Sequence, residues 1–291
     1  MDFRLTDDQR ALRAGVRALL AARFGREALR AAVAEPRLDR ALWRELGAAG
    51  FFSLRLPEEE GGAGLGLPEA VLVFEEAGRV LLPGPLVATH LAAGTVPGAV
   101  TGESVVTASD GALVPWLDAA DAVLGGLTDP RPVRSLDPLT PLHRDTGGSG
   151  GPPDPVAVLL TAAEQLGTAA RTTDMAVRYA RERVQFGRPI GSFQAVAHSC
   201  ADMLLRTETA RAAVYAAAVT ADPVEIAGAK LLADEAAVGG ARECLQVFGG
   251  TGFTWEADVH LHLKRAWLRA AMWLTAADAE ELQAQALASA R

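Results

Sequence analysis

Apolar residues recur at helical spacing through both ends of the chain and break into short clusters between them. Thr6 stands where it can cap a helix carrying Leu12, Val16, Leu19 and Leu20 on one side. Leu42, Leu46 and Ala49 make a second stripe, stopped by Gly50. Residues 51–57 predict a short extended segment, and 58–66 an acidic, glycine-rich loop. Residues 67–82 predict another helix, with Val71, Phe74, Ala77 and Gly78 on one side and Pro83-Gly84-Pro85 as its stop. Residues 1–97 are expected to form an N-terminal helical domain.

The pattern changes at residues 98–155. Val100, Val105-Val106, Leu113-Val114 and Val123-Leu124 are short apolar runs separated by Gly, Asp and Pro, which is strand-and-turn chemistry. About half a dozen short strands fit here at ordinary strand lengths. Residues 144–155 have the composition of a flexible linker. Helical patterning returns over 156–291. Asp154-Pro155 opens a helix running to about Arg183, and a second runs from Ser192 to about Ala221. Asp222-Pro223-Val224-Glu225 starts a third, which Gly249-Gly250 ends. Residues 256–274 and 276–290 make a fourth and fifth. The expectation is a mainly α chain: N-terminal helical domain, reduced middle β segment, C-terminal four-helix bundle.

Composition narrows the function. A chain of 291 residues, 49% hydrophobic and 22% charged, is ordinary for a globular protein of one or two closely packed domains. A net charge of -8 argues against a nucleic-acid partner. Cys200 and Cys244 fall in helical patterns and read as small buried side chains, not a disulfide framework. The first residues carry acids and no apolar core, so no signal peptide is expected, and no run is long enough for a membrane span. A cytoplasmic protein is expected by default.

Two stretches invite chemistry. Around Arg183, Gln185, Phe186 and Gly187, a guanidinium fork, an amide and an aromatic face stand at a helix end. By itself that is also an ordinary cation at a helix C-terminus. At Gln246, Val247, Phe248, Gly249 and Gly250, paired glycines leave bare backbone N–H groups that can lie against a ring or a diphosphate; a simple helix stop has the same look. A metal site is not expected: His260 and His262 are two apart on a helix and diverge, and Glu58–Glu60 reads as a solvated loop.

The combination carries more than either part. R-Y-A-R-E-R-V-Q-F-G-R-P-I-G-S-F-Q (178–194) and Q-V-F-G-G-T-G-F-T (246–254) together resemble the acyl-CoA dehydrogenase family. Residues 42–70 and F-E-E-A-G-R-V-L-L-P-G-P (74–85) are similar to that family's N-terminal domain. The resemblance implies FAD as cofactor and an acyl-CoA or acyl-carrier thioester as substrate. The reaction it implies is α,β-desaturation, in which a carboxylate takes the α-proton and the β-hydrogen leaves as hydride to the flavin. Electrons would then pass to an electron-transfer flavoprotein. It also implies that Arg183, Phe186, Phe193, Gln194 and residues 246–250 touch the adenine and diphosphate side of an FAD across a subunit interface.

The chain departs from that family in two ways. Nothing in 98–155 matches the middle-domain stretch that holds the flavin ring. Trp273 and Ala157 occupy the positions where the family carries its catalytic Glu. Glu164, in an apolar helical stretch, is a candidate substitute base if burial raises its pKa, or a helix residue whose head reaches a polar partner. Asp154 reads as a helix cap, and Glu256 as a helix-start acid with His260 one turn on. These departures resemble the short, base-lacking subunit of bacterial heteromeric acyl-CoA dehydrogenases, which completes the flavin site of a full-length partner. The alternatives are a self-sufficient homo-oligomeric flavoenzyme and a non-catalytic scaffold of the same fold.

Overall fold

The computed structural model describes residues 4–109, 112–147 and 153–289. The N-terminal part is built from α1 (Asp7–Arg23), α2 (Arg26–Ala34), α3 (Arg40–Ala48), α4 (Leu67–Arg79) and α5 (Leu86–Ala92). Thr6 and Gln9 close a reciprocal capping box on α1, and Asp39 accepts from the Ala41 and Leu42 amides at the start of α3. The expected extended segment at 51–57 is instead a run of turns. Phe51, Phe52 and Leu54 are all buried, so no in–out alternation exists to support a strand, and Phe51 N donates to Leu46 O to close the end of α3. α4 also stops at Arg79, short of Leu82, because Leu81 turns left-handed (φ 58°) and Leu82 N donates back to Ala77 O.

Among the described residues, five strands lie between 106 and 145. β1 (Val106–Ala108) pairs in parallel with β3 (Ala122–Leu124). β2 (Leu113–Pro115), β5 (Leu142–Asp145) and β4 (Pro130–Val133) form an antiparallel sheet in the order β2-β5-β4. Arg144 and Asp145, expected in a linker, belong to β5, where Asp145 accepts the Thr128 and Asp129 amides. The centre of that expected linker, 148–152, lies outside the described residues, as does residue 290.

The C-terminal part comprises α6 (Pro155–Glu182), a hairpin of β6 (Val184–Gln185) and β7 (Arg188–Pro189), α7 (Gln194–Thr220), α8 (Pro223–Phe248), α9 (Val259–Ala270) and α10 (Ala276–Ser289). α7 begins two residues later than Ser192, after a single 3₁₀ turn. α9 is shorter than 256–274, because residues 249–253 form a 3₁₀ segment and Trp273 adopts φ 62°. α6 is buried on every side from Ala157 to Ala170 and forms the axis on which α4, α7 and α8 pack. Its crossing with α4 is backbone against backbone. A Cβ on Gly78 would lie 2.0 Å from Glu164 O, and one on Gly167 2.0 Å from Glu75 O. One continuous apolar cluster reaches from Leu20 to Ala279, joining the N-terminal helices to the bundle.

Candidate functional site

The two stretches singled out in the sequence meet at one end of the bundle. Tyr179, in the last turn of α6, stacks on Phe248, the last residue of α8, with centroids 4.1 Å apart and planes 14° apart. Arg183 caps α6, and its carbonyl accepts the Ile190 amide at 2.8 Å. Between them β6 and β7 are joined by Phe186 (φ 52°) and Gly187 (φ 78°), both left-handed, as a tight two-residue hairpin turn demands. Glycine fits that geometry; a phenylalanine there costs about 1–3 kcal/mol. Yet Phe186 is 92% exposed, so burial within the chain does not offset the strain. Its ring meets Phe193 edge-on at 6.0 Å, and Arg188 lies 4.3 Å over the Phe193 face. Tyr179 and Arg188 were not among the expected site residues. Only the stacking partners supplied by folding reveal them.

The polar groups of this rim face outward. Arg183, Gln185, Gln194 and Gln246 are exposed. Gln185 Nε2 donates to Val184 O at 2.8 Å, and Gln194 Nε2 lies 3.4 Å from His198 Nε2. Among the described residues, no hydrogen bond or ion pair holds the Arg183 guanidinium. Val247 and Phe248 are half-buried against the smaller apolar cluster. An added Cβ at Gly187, Gly249 or Gly250 would meet nothing within 4 Å. At Gly250, where φ is not positive, no internal contact demands glycine. This rim therefore fits a planar, anionic group approaching from outside the chain.

The residues expected at the family's base positions lie elsewhere. Trp273 and Glu164 line a cavity of about 60 Å³ with Trp116, Thr161, Arg265 and Arg269. Ala157 is fully buried and does not line it. Arg269 Nη2 donates to Glu164 Oε1 at 2.6 Å, and Arg265 pairs with the fully buried Asp137. Burial pushes the Glu164 carboxyl up, with Arg269 and Arg265 opposing it. Burial likewise pushes Arg269 down, to about 10. Both partners move toward their neutral forms, so desolvation outweighs attraction for each. Thr161 Oγ1, Arg265 Nη2 and Arg269 Nη1 are buried without partners among the described residues. The space admits a few water molecules. Ligand pockets run from about 300 Å³, and a flavin ring does not fit. Trp116 (φ 60°) and Trp273 (φ 62°) both hold left-handed backbone around it.

The remaining acids and histidines have structural duties. Asp154 caps α6 by accepting the Val156 amide at 2.8 Å. The Glu256 carbonyl accepts from Arg26 and Arg30. His260 stacks on Trp255, and His262 is buried. Cys200 and Cys244 are free thiols. No described helix is long and apolar enough to cross a membrane.

A helical N-terminal part, a small β segment and a long-helix bundle, together with the family it matches, make this chain a member of a flavin-dependent oxidoreductase class. The chain belongs to the acyl-CoA dehydrogenase family. Residues 6–102 match the acyl-CoA dehydrogenase N-terminal domain, and 158–289 the C-terminal domain. The acyl-CoA dehydrogenase IpdE2 of Mycobacterium tuberculosis is 40% identical over 89% of this chain and 91% of its own. The acyl-CoA dehydrogenase FadE34 of the same organism is 34% identical over 78% of this chain but only 39% of its own length. A chain of the ChsE4-ChsE5 complex, also from that organism, superposes with a TM-score of 0.85 at 26% identity, covering 99% of each chain. FAD is the cofactor of this family.

Proposed function

We propose that this chain is one subunit of a heteromeric acyl-CoA dehydrogenase and supplies the adenine and diphosphate side of an FAD site completed by a full-length partner. One observation carries the reading. The groups suited to a flavin nucleotide are exposed on the outer rim, while the internal cleft is reduced to about 60 Å³. When bound, FAD supplies the two-electron acceptor for desaturation of an acyl thioester. On this chain, Arg183 would pair with the diphosphate. Gln185, Gln194 and Gln246 would donate to polar edges, Phe186 and Phe193 would pack beside the adenine, and Gly187, Gly249 and Gly250 would allow close backbone approach. Val247 and Phe248 would hold that backbone in place by packing below it. The catalytic base would come from the partner. Trp273 and Ala157 cannot take a proton, and Glu164 is engaged by Arg269. FadE34, more than half of which lies outside the match, and the ChsE4-ChsE5 complex support a second, different module as partner.

Glu164 lies on the cavity wall with a raised pKa, which favours a second reading: a homo-oligomer using Glu164 as its base. Production of the chain alone and beside a full-length dehydrogenase separates the two. The first reading expects flavin and acyl-CoA oxidation with electron-transfer flavoprotein as acceptor only in the mixed complex. A yellow, active homo-oligomer overturns it. Within the complex, Arg183→Ala is expected to lower flavin content several-fold with little change in melting temperature. Unchanged flavin content removes Arg183 from the site.

A further inference from the structure

A groove of about 360 Å³ runs between α1, α2, α4 and α6, and none of its lining residues lines the cavity around Glu164. Its charge is unlike that of the chain. Arg17 holds Glu76 through two hydrogen bonds, 2.9 and 2.6 Å, and Arg26 and Arg30 share Asp258. Arg79 reaches Asp174 at 2.6 Å. Arg171 also lines the groove and, among the described residues, has no hydrogen bond or ion pair. Four of the lining side chains are guanidinium groups and two, Glu76 and Asp258, are carboxylates, a local surplus of positive charge on a molecule of net charge -8. Desolvation, then Arg79, push the Arg171 pKa down, with Asp174 and Asp258 opposing.

Two further features face the same space. His262, 3% exposed, lines the groove, and its Nδ1 is buried without a partner. Burial, then Arg171, Arg265, Arg269 and Arg79, hold the ring neutral with a pKa of about 3. α2 begins at Arg26, and Gly25 offers no side-chain cap, so the first amides of the helix are open beside the cations. Leu20, Phe24, Leu29 and Met175 form an apolar wall.

We propose that this groove binds a small amphiphilic anion, whose carboxylate or phosphate pairs with Arg171 and the open amides of α2 and whose apolar body lies against Phe24 and Leu20. The guanidinium fork matches either head group bidentately. The volume falls within the range of small-ligand sites.

Calorimetric titration of the chain in its native assembly, at fixed ionic strength, uses four probes: octyl phosphate, octanoate, octanol and inorganic phosphate. At least one octyl anion is expected to bind at one site per chain, and octanol is not. The preferred head tells phosphate from carboxylate. R171Q is expected to weaken that binding at least tenfold without moving the melting temperature, while R131Q leaves it unchanged. Absence of binding by both octyl anions, or equal binding by R171Q, overturns the site. Inorganic phosphate binding as tightly as octyl phosphate overturns the amphiphile. The outcome is independent of flavin content and so separable from the subunit reading.

Discussion

Glu164 shows how far one residue's meaning depends on its neighbours. Next to Arg269 it is half of a buried ion pair that neither partner's environment favours. Removing one half leaves an uncompensated buried charge, so Glu164→Ala should destabilise by about 3–5 kcal/mol in urea unfolding. The double variant E164L/R269M should recover most of that loss, because replacing both charges with apolar groups removes two desolvation costs at once. Histidine carries a second prediction at this scale. His90 and His262 are held neutral, with pKa values of about 4 and about 3, chiefly by burial. Above pH 6.5 both are neutral whether folded or unfolded. Below it the unfolded chain gains protons that the fold refuses. Stability should therefore fall as pH drops from 6.5 toward 4, by up to about 1.4 kcal/mol per pH unit for each histidine. Unfolding free energies measured at pH 7 and pH 5 check the slope, and His262→Asn should reduce it.

At the scale of elements, α4 and α6 meet through glycines, not side chains. Gly167→Ala would drive a methyl into Glu75 O and force the helices apart, at a cost of about 1–3 kcal/mol or more. A fall in melting temperature of that size, with retained helical circular dichroism, is the expected result. Gly250 is the contrasting case. Open space surrounds its missing Cβ, so Gly250→Ala should leave the isolated chain's melting temperature within experimental error. In the mixed complex the same change should lower flavin content, since the methyl would stand where the cofactor approaches. The β6–β7 hairpin follows the same logic. It holds Phe186 in a strained, exposed conformation that only an external surface can reward.

At the scale of the molecule, the helices at both ends were legible because caps and periodic apolar faces are local. Thr6, Asp154 and Asp222 all cap where the sequence placed them. The two stretches expected to face a flavin were legible as a pair only through resemblance. Their meeting rests on Tyr179 against Phe248, a contact between residues far apart in the chain. Residues 51–57 were misread because Phe51, Phe52 and Leu54 are buried together, Phe51 against Phe74 of α4 and His90 of α5, a tertiary circumstance without period. The early stop of α4 at Leu81 and the left-handed Trp116 and Trp273 were hidden for the same reason. Propensity gives no sign that packing will hold a bulky residue at positive φ. The sequence by itself determined the helical class and the family, since these depend on residue identity and short-range spacing. Only the tertiary structure decided that Glu164 is bound to Arg269, that the inner cavity is only about 60 Å³ while the Arg183, Gln185, Gln194 and Gln246 side chains face outward, and that Arg171, exposed beside Asp174 and Asp258, makes no ion pair among the described residues. Each of those depends on which distant side chains share a space, and burial and charge balance exist only once that space is formed.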